Sequence, residues 1–260
     1  MKWLLILMLG AAAGSEPMQD GEDAESAGET VAGSEQTRSS VLMDQQAQDE
    51  VMAEAMAEML PRDEAVWLDT DTRQGLVVAR RARQGGVKGS VVLLAEPETG
   101  PETLTHTARI RRSLILHGWH TYFARLPEAG SGQGSAGERV QALVSLVRER
   151  GAEGSLLLIT EGAATHWAAT VADQVAVDGL VLINVPESST EFPVASTLLG
   201  DLVLPSLVLQ EYPRDWRQED PLGADVELHL LPRGDAGRED NRLIRKIRGW
   251  FKRRFEEASA

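Results

Sequence analysis

The chain has 260 residues, no cysteine, and 40 acidic against 26 basic side chains, a formal charge of −14 at pH 7. That length suffices for a substantial hydrophobic core. The missing thiols exclude a disulfide scaffold, thiolate zinc centres, a cysteine nucleophile and a lipid-anchored amino-terminal cysteine, while the acidity argues against a nucleic-acid partner, which needs clustered Lys and Arg.

The charge is unevenly placed. Residues 1–13 carry only Lys2; residues 14–65 hold 14 acids and two bases, a balance of −12; residues 66–260 hold 26 acids and 23 bases, a balance of −3. The acidity is therefore a property of the first quarter of the chain.

Residues 1–13, MKWLLILMLGAAA, combine a positive start, a short apolar run and a small-residue end. This is the pattern of a secretory signal peptide; a spanning helix needs about 20 apolar residues. The expectation is a protein of the bacterial periplasm, or a secreted one, with no transmembrane segment after cleavage. Residues 14–38 are Gly, Ser, Glu, Asp and Ala with almost no large apolar residue. Such a segment cannot bury enough surface to offset chain entropy, so a disordered acidic extension is expected.

Residues 39–61 read as an amphipathic helix, with Ser39 or Ser40 as cap and Pro61 beyond its end. Val51, Met52, Ala55, Met56, Met59 and Leu60 recur at steps of three and four, forming one apolar stripe. Stripes of this kind normally face a core, so the helix is expected to pack on the edge of its own domain; a Met-rich partner surface is the alternative.

From residue 62 a single domain is expected. Val66–Leu68 and Gly75–Ala79 form a hairpin, and Gly89–Ser90 opens the buried strand VVLLA. A helix from Thr103 to Leu116 ends at Gly118, and Trp119–Leu126 is a strand closed by Pro127. Glu128–Gly137 reads as a flexible glycine-rich loop and Glu138–Arg150 as a helix. LLLIT (156–160) is a central strand, followed by Gly162 and a helix through Val175. Strands follow at 179–185, 205–211 and 226–231, and a last helix at 239–257. Two opening strands followed by alternating strands and helices give an α/β domain with a mostly parallel sheet and helices on both faces. The continuous apolar runs VVLLA, LLLI and LVLI suit strands buried on both sides.

This order, with the phrases KGSVVLLAEP, LHGWHTYFARLP, GSLLLITEGAATHWAA, LPSLVLQEYPRD and LPRDEAVWL, resembles a family of uncharacterised, secreted bacterial α/β-hydrolase-like proteins over roughly residues 58–255. The resemblance implies the α/β-hydrolase fold. About 20 residues between the sixth- and seventh-type strands leave no room for a large lid.

In that fold the nucleophile sits at a strand-to-helix elbow, G-x-S-x-G. Here the elbow is Thr160-Glu161-Gly162-Ala163-Ala164, and strand-end alignment puts Gly162 at the nucleophile position. Shifting the register to Glu161 or Thr160 would bring Ile159 or Leu158 where a small residue is required. The loop expected to hold the general base, Pro232–Gly237, contains no histidine, and His229 lies within the preceding strand. Asp215 stands near the place of the third triad member. The oxyanion loop holds Glu96-Pro97, an anion and a residue without a backbone donor. The expectation is a hydrolase-shaped, non-catalytic protein. The alternative is a hydrolase with a carboxylate site built from Glu161, Asp215 and Glu96.

His117 and His120 lack a third ligand nearby, so no metal site is expected; His106 and His166 are expected on helix surfaces. GSGQGSAG (130–137) does not fit a nucleotide-binding spacing, and no cofactor is expected. On the last helix, Leu243, Ile244, Ile247, Trp250, Phe251 and Phe255 form one face. Arg242, Arg245, Lys246, Arg248, Lys252 and Arg253 form a basic one, which is either a solvated outer face or a surface for an envelope protein, a polymer or an anionic membrane. The acidic extension could also cover it within the same molecule.

Overall fold

The structure, a computed structural model, describes residues 50–69, 74–83, 86–95, 105–126, 133–150, 154–186, 199–212, 223–232 and 236–256. All of them belong to one compact unit, Leu42–Ala260. The expected signal segment (1–13), acidic extension (14–38) and first part of the amino-terminal helix lie outside the described residues, as do Glu96, Pro97 and Asp215.

The elements in chain order are α1 (residues 50–59), β1 (Ala65–Asp69), β2 (Gln74–Arg80), β3 (Gly89–Ala95), α2 (Thr105–Ile115), β4 (Trp119–Arg125) and α3 (Gln133–Glu149). Then come β5 (Ser155–Glu161), α4 (Ala164–Val171), β6 (Gly179–Ile183), α5 (residues 199–201), β7 (Ser206–Tyr212), β8 (Val226–Pro232) and α6 (Ala236–Phe251). The strands form one eight-stranded sheet among the described residues, in the order β1-β2-β4-β3-β5-β6-β7-β8. β2 runs antiparallel to both β1 and β4, and every other neighbouring pair is parallel. This is the α/β-hydrolase architecture the element order implied, with β5 in the interior of the sheet.

Alternation along the strands divides the core into two layers. Val92, Leu94, Leu156, Leu158, Leu180 and Leu182 face α3 and α4. Val91, Leu93, Leu157, Ile159, Val181 and Ile183 face α2 and α6. Burying one such leucine contributes about 2 kcal/mol, which is why uninterrupted apolar runs specify the inner strands. In the second layer the α6 aromatics interlock: Trp119 and Phe251 lie 4.8 Å apart between ring centroids, and Trp250 meets Phe255 edge-on at 5.2 Å. Gly179 makes room for them, since a Cβ there would stand 2.8 Å from Phe255 and 3.0 Å from the Pro205 carbonyl oxygen.

Three expectations need correction. The stretch read as a glycine-rich loop to Gly137 already belongs to α3 from Gln133 onward. Gly137 serves close packing rather than flexibility, because a Cβ there would meet Val171 of α4 at 3.3 Å. α1 does lie on its own domain, but with a different face: Ala53 is buried and Met56 and Leu60 pack on the second layer, while Val51, Met52 and Met59 are exposed. Ala53 is small enough to let the helix approach, and helical spacing then turns the bulkier Val51, Met52 and Met59 outward. The strand read as 179–185 ends at Ile183, because Asn184 takes a left-handed backbone (φ 51°). Asparagine is one of the few side chains that enter that region readily, which is the signal the sequence reading passed over.

Candidate functional site

The elbow forms where β5 hands over to α4. Leu156, Leu157 and Leu158 are fully buried and hold the strand rigidly between β3 and β6. Ala164 and Ala168 are buried with almost no bulk, so α4 can lie close to the sheet. The chain reverses at Gly162 with φ 63°, which L side chains seldom adopt. Its N–H donates to the Ile183 carbonyl at 3.0 Å. Its own carbonyl accepts from the Thr165 N–H at 3.1 Å and from the Thr165 hydroxyl at 2.6 Å. The left-handed residue at the turn is Gly162, and it bears no side chain.

The neighbouring residues diverge from that tip. By alternation Thr160 belongs to the α3/α4 layer and is buried, whereas Glu161 belongs to the α2/α6 side and is half-buried. Ala163 and Ala164 offer only methyl groups. On the adjoining strand Asn184 gives a second left-handed residue, its N–H tied to the Leu209 carbonyl at 2.9 Å. The structure brings Thr160, Glu161, Gly162 and Asn184 to one end of the sheet. Asp215 and Glu96, the other two carboxylates of the alternative site, lie outside the described residues.

Four of the five histidines have described side-chain surroundings; those of His106 lie outside the described residues. His166 was expected on a helix surface but is wholly buried in α4. Its position four residues past the elbow turns it inward against the segment after β6. Burial lowers its pKa below the ordinary histidine value, and the Pro186 backbone pulls less strongly the other way. His117 Nδ1 lies 2.6 Å from the Ser113 carbonyl oxygen, closing the end of α2. His120 Nδ1 accepts the Ala82 N–H at 3.0 Å. His229, half-exposed on edge strand β8, meets Lys246 Nζ at 3.4 Å and so helps dock α6.

The basic face of α6 divides in two. Lys246 and Arg253 turn toward β8, where Arg253 pairs with Glu227 at 3.0 Å, and Arg254, just beyond the helix, pairs with Asp225 at 2.6 Å. Arg245, Arg248 and Lys252 instead line a cleft of about 520 Å³ with Lys88 and His117, floored by Trp119 and Phe251. Glu256 sits at its edge, paired with Lys88 at 2.8 Å. Arg242 is exposed. Sequence reasoning found the cations but not the division, which depends on where β8 and the α2–β4 turn lie.

A model of the family described as "Protein of unknown function (DUF3530)" matches residues 2–136, just over half of the chain. The chain belongs to that family. No curated protein matches it. Among solved structures it is similar to Est1E from Butyrivibrio proteoclasticus, with 10% identity over 74% of this chain and 98% of that one and a TM-score of 0.57. It is also similar to XC6422 from Xanthomonas campestris, a member of the α/β serine hydrolases without a lid, with 15% identity, 74% and 94% coverage and a TM-score of 0.56. The Pyrococcus furiosus esterase PF2001 gives 9% identity, 73% and 90% coverage and a TM-score of 0.59. At such identities the likeness establishes the α/β-hydrolase fold for this DUF3530 family member.

Proposed function

We propose that this DUF3530 family member is a non-catalytic α/β-hydrolase-fold protein of the bacterial periplasm that acts in binding or envelope scaffolding. The observation that carries the reading is Gly162 at the tip of the elbow. An acyl-transfer enzyme of this fold attacks from a side chain at that point, and removing the nucleophile or base of a triad costs about 10⁴-fold or more in kcat. The lack of histidine in Pro232–Gly237 supports the same reading. The signal-like residues 1–13 support the compartment. The binding surface in this reading is the α6 cleft, where cations surround an aromatic floor, a combination suited to amphipathic anions or an anionic surface.

The test is turnover of a panel of acyl esters, thioesters and amides by the native chain and by Glu161→Gln. The reading expects no hydrolysis above a mock preparation from either protein. Turnover by the native chain that disappears in Glu161→Gln would overturn it in favour of a carboxylate-based hydrolase.

A further inference from the structure

The end of the sheet opposite the elbow holds a second cleft, on the α3/α4 face, that the reading above does not use. It has a volume of about 580 Å³. Its wall is built by the short stretch Ala79-Arg80-Arg81-Ala82-Arg83 leaving β2, by His120 and Tyr122 at the start of β4, and by Arg150 just past α3.

The backbone fixes this stretch. The Ala82 N–H donates to His120 Nδ1 at 3.0 Å and the Arg83 N–H donates to the Ile115 carbonyl at 2.9 Å. Between those anchors Ala82 is half-buried while Arg81 and Arg83 are exposed, as alternation in an extended segment requires. Arg80 is held separately by Glu64, with Nε 2.6 Å from the carboxylate. Arg81, Arg83 and Arg150 have no ion pair among the described residues. Four arginines against Asp63 and Glu64 leave the lining with a surplus of two positive charges.

Neutral donors complete the set. Because His120 Nδ1 accepts a hydrogen bond, its neutral ring carries the proton on Nε2, and burial followed by the Arg81 charge keeps the ring neutral by lowering its pKa. Tyr122 brings a phenol whose pKa burial raises, with Arg150 and Arg81 pulling it down. Tyr122, Arg81 and Arg150 line the same cleft.

We propose that this cleft binds a phosphomonoester, with the phosphate held by Arg81, Arg83 and Arg150 and oriented by Tyr122 and His120. Guanidinium forks match phosphate oxygens two at a time, and a dianion neutralises the surplus charge of the lining. A cleft of about 580 Å³ is larger than a phosphate group alone, so the ester's organic portion fits within it. The proposal stands independently of whether the elbow is catalytic.

The test is calorimetric titration of the full chain at low salt with glycerol 3-phosphate, and with inorganic phosphate to gauge the contribution of the organic part. Three variants accompany it: Arg81→Gln, Arg81→Gln combined with Arg150→Gln, and Arg112→Gln on α2, which lines neither cleft. Thermal melts check that each variant is folded; the substituted side chains are all exposed. The expected result is millimolar or tighter binding of the ester, weakened about tenfold or more in the double variant and unchanged in Arg112→Gln. No native binding of either probe up to about 10 mM would overturn the proposal, as would binding that the double variant retains or that Arg112→Gln loses equally.

Discussion

At the carboxyl ends of β5 and β6 the described backbone is strained and poor in reactive side chains: Gly162 and Asn184 hold left-handed conformations, and Ala163 and Ala164 follow. At the amino ends of β3 and β4 the backbone is equally constrained, yet its surroundings are rich in cations. Arg81, Arg83 and Arg150 gather on one face of the sheet, and Lys88, Arg245, Arg248 and Lys252 on the other. The tip of the elbow, Gly162, carries no side chain, whereas cationic side chains gather at the opposite end of the sheet. Backbone strain marks where a fold once had, or still has, a reason to turn sharply; the side chains decide what the turn can do.

Glycine replacements sharpen this contrast first. Gly154, at the cationic end, has φ 77°, and a Cβ there would stand 2.3 Å from the Lys88 carbonyl oxygen. Gly154→Ala is expected to lose about 3 kcal/mol in urea denaturation, from strain and a backbone clash together. Gly162→Ala meets the conformational penalty, about 1–2 kcal/mol. Equal losses would mean that the elbow is as tightly enclosed as the opposite end.

Vesicle binding addresses the α6 cleft. A basic side chain beside an anionic membrane contributes about 1 kcal/mol, so Arg248→Gln should weaken flotation with phosphatidylserine vesicles about fivefold at low salt. Arg253→Gln should change less, because Glu227 already engages Arg253. Equal losses would place the contact over the whole helix instead of the cleft.

Much of this arrangement was legible beforehand. VVLLA, LLLI and LVLI announced inner strands, the element order announced the sheet, and the α6 periodicity announced its docked face, since each depends on neighbours in sequence. Gly162 was located by strand-end alignment alone. The clefts were not legible, because Arg81 and Arg150 meet only once β2 has paired with β4 and α3 has returned to the same edge. The docked face of α1 is hidden in the sequence because Ala53, which is buried, carries little hydrophobic signal.

The smallest expected effect is a pH dependence. The folded-state pKa of His166 lies below the ordinary value of about 6.5, so the unfolded chain binds more protons in the window beneath that value. Its stabilising contribution is fully present above pH ~6.5 and is lost as pH falls toward the folded-state pKa. His120 shifts the same way at the opposite end. Urea midpoints measured between pH 8 and 5 should fall on acidification, less steeply in His166→Gln than in the native chain; parallel slopes would assign the dependence to other groups.

Release of p-nitrophenol from p-nitrophenyl acetate, followed over many turnovers by the native chain and by Glu161→Gln, tests the central claim most directly, because it reports a hydroxyl nucleophile and a carboxylate site alike. The account predicts no turnover above a mock preparation from either protein. Sustained turnover by the native chain that Glu161→Gln loses would contradict it.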